Sequence, residues 1–157
     1  MLTAFLDYYR ASLLLKLEGL DDEQARTASV PPSILTLTGL VRHMSEVERA
    51  WFQRWMLDAD APPIYYTDER PDGDLEVGSD DTIADAVAVW QAEVDIARTV
   101  TSGAGLDDLS ARAGTTGHWE GFHPSLRWIM VHMIEEYARH CGHADLIREC
   151  IDGVTGD

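Results

Sequence analysis

The stretch IMVHMIEEYARHCGHADLIRE, residues 129–149, carries apolar and metal-ligating side chains on the same helical repeat. Ile129, Met130, Met133, Tyr137 and Ala144 fall on one side of a 3.6-residue helical repeat. With Leu126 they predict a helix from near Pro124 to past Ile147 with one apolar side. A helix of that kind must bury its apolar side against partners, so the fold depends on what the rest of the chain supplies.

It supplies three more helical patterns. Leu2, Phe5, Leu6, Tyr9, Leu13 and Leu17 predict a helix over about 2–17, ended by Gly19 and Asp21–Asp22. A second follows Pro31–Pro32, with Ile34, Leu37, Leu40, Val41, Met44, Val47, Trp51 and Trp55 on a broad face. A third spans about 82–100, with Thr82 as N-cap and Ala86, Val89, Trp90, Val94 and Ala97 as its stripe. No strand-like alternation is sustained and no repeat is evident. The expectation is an all-α chain, one domain over 1–157, folded as a four-helix bundle. The connections after helices two and three are each roughly 20 residues, long for an up-down-up-down bundle, so at least one should be a crossover or line a site.

Composition narrows the partners. Twelve basic against 28 acidic residues give a net charge of −16, which repels nucleic acid and anionic lipid. No apolar run is long enough to span a bilayer and no signal-peptide pattern opens the chain, so a cytoplasmic location is expected. Cys141 and Cys150 fall nine residues apart on one predicted helix. That separation is about 13 Å along the axis and on opposite faces, too far for a disulfide. Lys16 is the one lysine and asparagine is absent, a bias typical of GC-rich genomes.

Within EEYARHCGHADLIRE, Glu136 and His140 lie at i, i+4 and can reach one ion. A solvated Glu–His pair explains that spacing more often than a metal does. A third donor is available in LTGLVRHMSEVERAWF, residues 37–52, where His43 sits on or beside the apolar stripe. Alone it reads as a core histidine. Combined with a facing Glu136 and His140 it completes two imidazoles and one carboxylate, the set of a metal site with an open position. Such donors suit zinc first, with nickel, iron or manganese as alternatives. His132, Glu136 and His140 form a competing, shifted set. Glu46 and Glu48 are candidates to orient the His43 ring, against a default of solvated surface carboxylates. His118 and His123 read as loop residues before the last helix, and Trp51, Trp55, Trp90 and Trp128 as core. The acidic run DERPDGDLEVGSDD fails as a calcium loop because Arg70 and Ser79 occupy ligand positions, and there is no HExxH protease motif.

These two stretches, with DYYRASLLLKLEGLDDEQ in the first helix, resemble the DinB/YfiT-like superfamily. The similarity is greatest to its actinobacterial branch of mycothiol S-transferases and the N-terminal domain of mycothiol-dependent maleylpyruvate isomerase. The resemblance covers most of the chain. It implies a divalent metal on His43, Glu136 and His140, and places His143 behind the ligands or against substrate. It also implies mycothiol as co-substrate, its sulfur activated to attack a small electrophile, and relatives that often form homodimers, although no heptad seam requires one here. The sequence ends soon after the last predicted helix, so the expectation is a single-domain transferase and not the isomerase. Two other readings use the same residues: hydrolysis by activated water, with Glu46, Glu48 or His143 taking the proton, and a non-catalytic ligand-binding bundle.

Overall fold

The computed structural model describes residues 1–156, apart from the side chain of His118. Helix α1 is Leu2–Leu15, α2 a single turn at Asp22–Ala25, α3 Leu37–Glu48, α4 Ile83–Gly103 and α5 Leu126–Asp152. Helix α3 continues without a break as a π-helical segment over Arg49–Met56. No strand occurs among the described residues; two isolated bridges, Leu109 with Ser125 and Gly114 with Glu120, tie the loop before α5. No described helix is long and apolar enough to cross a membrane.

The all-α four-helix architecture expected from the periodicity is present, and side-chain contacts give its topology. Arg42 reaches Asp81, just ahead of α4, while Arg49 and Gln53 reach Glu93 further along it, so α3 and α4 run parallel. Tyr9 meets Cys141, and Lys16 meets Asp145 and Arg148, so α1 and α5 are also parallel. Helices α3 and α5 are antiparallel, since Glu48 meets Tyr137 while Trp51 meets His132. The order is up-down-down-up. Parallel neighbours in sequence need a crossover, and residues 57–82 provide it.

Three of the four long helices are capped at their N-termini by a side chain. Thr36, Thr82 and Ser125 each accept a backbone N–H in the first turn of the helix they precede. Gly153 ends α5 in the left-handed region at φ 79°, where a glycine has no Cβ penalty. Two details differ from the sequence expectation. Helix α3 starts five residues after the prolines because Thr36 caps it, which leaves Ile34 outside and 60% exposed. Phe5, assigned to the α1 stripe, is 53% exposed while Leu6 and Leu13 fill the core.

At the centre, all four long helices share one polar network. Arg10 from α1 donates from Nε and Nη2 to the two oxygens of Glu48 from α3, both at 2.8 Å. Tyr137 Oη from α5 donates to Glu48 Oε1 at 2.7 Å and accepts from Trp90 Nε1 of α4 at 2.8 Å. All four residues are buried, among Leu6, Met44, Val94, Met133 and their neighbours. Burial and the Glu48 carboxylate push the Tyr137 hydroxyl well above its ordinary pKa, so it remains a donor at any physiological pH.

Removing one member of a buried pair leaves the other charge uncompensated. Glu48→Ala is expected to lower the unfolding free energy by about 3–5 kcal/mol. Tyr137→Phe, which leaves the ion pair intact, should cost about 1–3 kcal/mol. Urea denaturation followed by circular dichroism separates the two, and equal small losses would contradict this role.

Candidate metal centre

His43 lies one turn before the network on α3, and Glu136 and His140 flank Tyr137 on α5. The bond from Tyr137 to Glu48 sets the rotation and register of these two helices, and the three side chains meet as a consequence. One donor atom from each of His43, Glu136 and His140 lies within 4.8 Å of the other two. Ligands about 2.0–2.2 Å from one ion stand roughly 3–3.5 Å apart, so the set closes on a metal with small side-chain movements. The rings of His43 and His140 meet edge to face, centroids 4.7 Å apart. All three side chains are half-buried.

Each imidazole is oriented from behind. His43 Nδ1 lies 2.7 Å from Asp74 Oδ2, which turns Nε2 toward the cluster. His140 Nδ1 faces His143 Nδ1 at 3.3 Å, and His140 Nε2 faces Glu136 Oε2 at 3.5 Å. Burial, then the positive charge that His43 and His143 can carry, pushes His140 down to about 4. A neutral imidazole is the form that binds metal, so donor type, spacing and protonation all fit a divalent ion.

Asp74 was not among the residues read from the sequence. It sits inside DERPDGDLEVGSDD, the run rejected as a calcium loop. Burial raises its carboxyl, but the bond and charge of His43 and nearby backbone N–H groups outweigh that and hold it below the usual range. The crossover carries it there through a dense set of bonds to α3. Arg42 donates to Asp81 and to the Gly73 carbonyl and lies over the Tyr65 ring. Close approach requires two glycines: a Cβ on Gly73 would sit 2.4 Å from the Tyr65 carbonyl, and one on Gly39 would sit 3.2 Å from the Leu75 carbonyl.

The expected helpers are engaged elsewhere. Glu46 accepts the N–H groups of Ile64 and Tyr65, at 2.6 and 2.7 Å, and pairs with Arg54. Glu48 belongs to the central network. At 4% and 1% exposure neither is a solvated surface carboxylate, and neither orients His43. Their positions three and five residues after His43 aim them at the crossover and at the core.

His132 stands one turn N-terminal to Glu136, its Nε2 3.4 Å from Glu136 Oε1. It also forms a second cluster with Glu135 and Glu136, in which Glu135 is drawn off by Arg139. His123 is exposed and its Nδ1 bonds the Ser110 carbonyl at 2.7 Å, away from the cluster. His118, also read as a loop residue, has a side chain outside the described residues. Of the tryptophans assigned to the core, Trp90 is buried in it and Trp51 and Trp128 pack half-buried against it, whereas Trp55 is half-buried outside it. Cys141 and Cys150 are free thiols.

A family model described as Mycothiol-S-transferase matches residues 1–153, and the chain belongs to that family. No curated protein matches it. Among solved structures, the chain is similar to one titled as a conserved protein of locus from Enterococcus faecalis. The TM-score is 0.65 at 15% identity, covering 98% of this chain and 96% of that one, a likeness of fold.

Asp74→Asn keeps the shape and weakens the orienting bond. It should lower zinc affinity roughly 10- to 100-fold, measured by competition with a chelating dye, without loss of helical content. In metal-free protein, His140 binds its proton near pH 4, against about 6.5 in the unfolded chain. The unfolded state therefore holds more protons between those values, and this group's contribution to stability should rise from pH 4 to 6.5. His140→Gln should flatten that part of the urea-midpoint profile.

Proposed function

Starting from membership of the mycothiol-S-transferase family, we propose that this protein transfers mycothiol to an electrophilic carbon of a small molecule at a divalent-metal centre held by His43, Glu136 and His140. The observation that carries the reading is the convergence of those three donors from two separate helices, with one histidine backed by a buried aspartate. When bound, a divalent ion would supply positive charge that lowers a thiol's pKa and favours the thiolate near neutral pH. Zinc suits the mixed donor set, and nickel, iron and manganese share it.

The chain's own groups do the remaining work. Asp74 and His143 hold the two imidazoles in place from behind. Glu136 presents one oxygen toward His140 and the other toward His132. Burial lowers the pKa of His132 against the pull of Glu136, so its neutral ring beside the proposed donors is the group that would accept the proton leaving the thiol. The sulfur forms one new C–S bond with the electrophile. In a substitution the displaced group departs with the bonding pair, and in an addition the product carbon takes up a proton. Cys141 has no part in this, since burial and then Asp145 push its thiol up to about 11.

Hydrolysis finds less support. Glu46 and Glu48, the carboxylates that would take the proton from water, are tied to the crossover and the core.

The test is a conjugation assay with mycothiol and monochlorobimane. Zinc-loaded wild type should exceed the uncatalysed rate, and His43→Ala should lose both the metal and the transfer while its far-ultraviolet spectrum persists. A His43→Ala protein that kept both would overturn the assignment.

A further inference from the structure

Four of the chain's five tryptophans gather on one side of the candidate centre, and none of them is a ligand. The series begins at His132, whose Nε2 is 3.4 Å from Glu136. Its ring stacks on Trp128 at 16° and 5.1 Å, and meets Trp51 edge-on at 4.6 Å. Trp51 stacks on Trp55 at 23° and 5.2 Å, the two brought into line by the π-helical end of α3. Trp119 and Phe122 pack edgewise or tilted around Trp128 and each other. Trp55 in turn lines a cavity of about 530 Å³ with Asp58, Arg112 and the 111–115 backbone.

We propose that this wall of rings is the binding site for the electrophile, and that the electrophile is a neutral, electron-poor aromatic ring. Trp90 is sealed in the core, whereas each ring of this wall is half-buried, with Trp51 and Trp128 resting on the core and keeping part of their surface exposed. Indole faces carry negative quadrupole density, so they stack on rings depleted of electrons by nitro, halo or carbonyl groups. That same depletion makes a ring carbon open to attack by a thiolate. The net charge of −16 turns away anionic arenes, which leaves neutral ones. The wall starts beside Glu136, so a ring bound at its His132–Trp128 end lies next to the proposed donors, and the Trp55 cavity lies at the far end. The inference relies on the thiol-transfer reading for the chemistry and on the rings alone for the binding.

The test titrates ¹⁵N-labelled, metal-free protein with 1,3-dinitrobenzene, a ring without a leaving group that a thiol cannot consume. The indole N–H signals of Trp51, Trp55, Trp119 and Trp128 should shift saturably while that of Trp90 stays still. Trp128→Leu should weaken binding about fivefold, and Trp55→Leu, at the rim, is an independent second variant. His43→Ala should bind the probe like wild type. Three results would each overturn the proposal: no saturable shift, equal shifts with nitrocyclohexane, or undiminished affinity in the folded variants. Transfer lost with probe binding kept would count against the proposed activity, and transfer kept with no probe binding would count against the wall.

Discussion

The mutual register of the helices in this bundle depends on one buried carboxylate. Glu48 accepts from Arg10 and Tyr137, and Tyr137 accepts from Trp90, so a single connected network takes one residue from each long helix. Apolar stripes alone would tolerate small rotations and slips, because a methylene contact has little direction. A bidentate guanidinium and a phenol hydroxyl do have direction, and a misaligned version would leave a buried charge unpaired. The network therefore selects one register. Since Glu136 adjoins Tyr137 and His43 precedes Glu48 by five residues, that register is also the one in which the metal donors meet.

The second constraint is the crossover. Parallel α3 and α4 oblige the chain to travel the length of the bundle between them, and residues 57–82 use the journey to cover one side of α3. Arg42, Glu46, Arg49 and Arg54 hold the segment by its backbone carbonyls and N–H groups. Two glycines let it lie close. The outcome is a buried Asp74 behind His43, so a topological necessity doubles as part of the site.

The helices were legible in the sequence because their apolar period spans several turns, and His43, Glu136 and His140, the proposed donors, could be singled out because they lie on or beside that period. Their meeting across two helices follows from a register the sequence does not display. Asp74 was hidden for a different reason: its partner is 31 residues away, across a segment with no periodicity, and one aspartate among many carries no local signal. Glu46 and Glu48 were misjudged since a carboxylate on an amphipathic helix is usually solvated, and only tertiary partners reveal otherwise. Of the tryptophans read as core, Trp90 is core and Trp51 and Trp128 pack against it, while Trp55 does not. Helical spacing put Trp51 and Trp55 on one face, and along the π-helical segment the two stack on each other beside Trp119 and Phe122 of the loop before α5.

The central claim is a cross-helix site with two imidazoles and one carboxylate, and it is tested most directly by anomalous diffraction from crystals of zinc-loaded protein. A single peak about 2.0–2.2 Å from His43 Nε2, His140 Nε2 and a Glu136 oxygen, with Asp74 still on His43 Nδ1, would establish it. A peak among His132, Glu135 and Glu136, or none after loading, would contradict it.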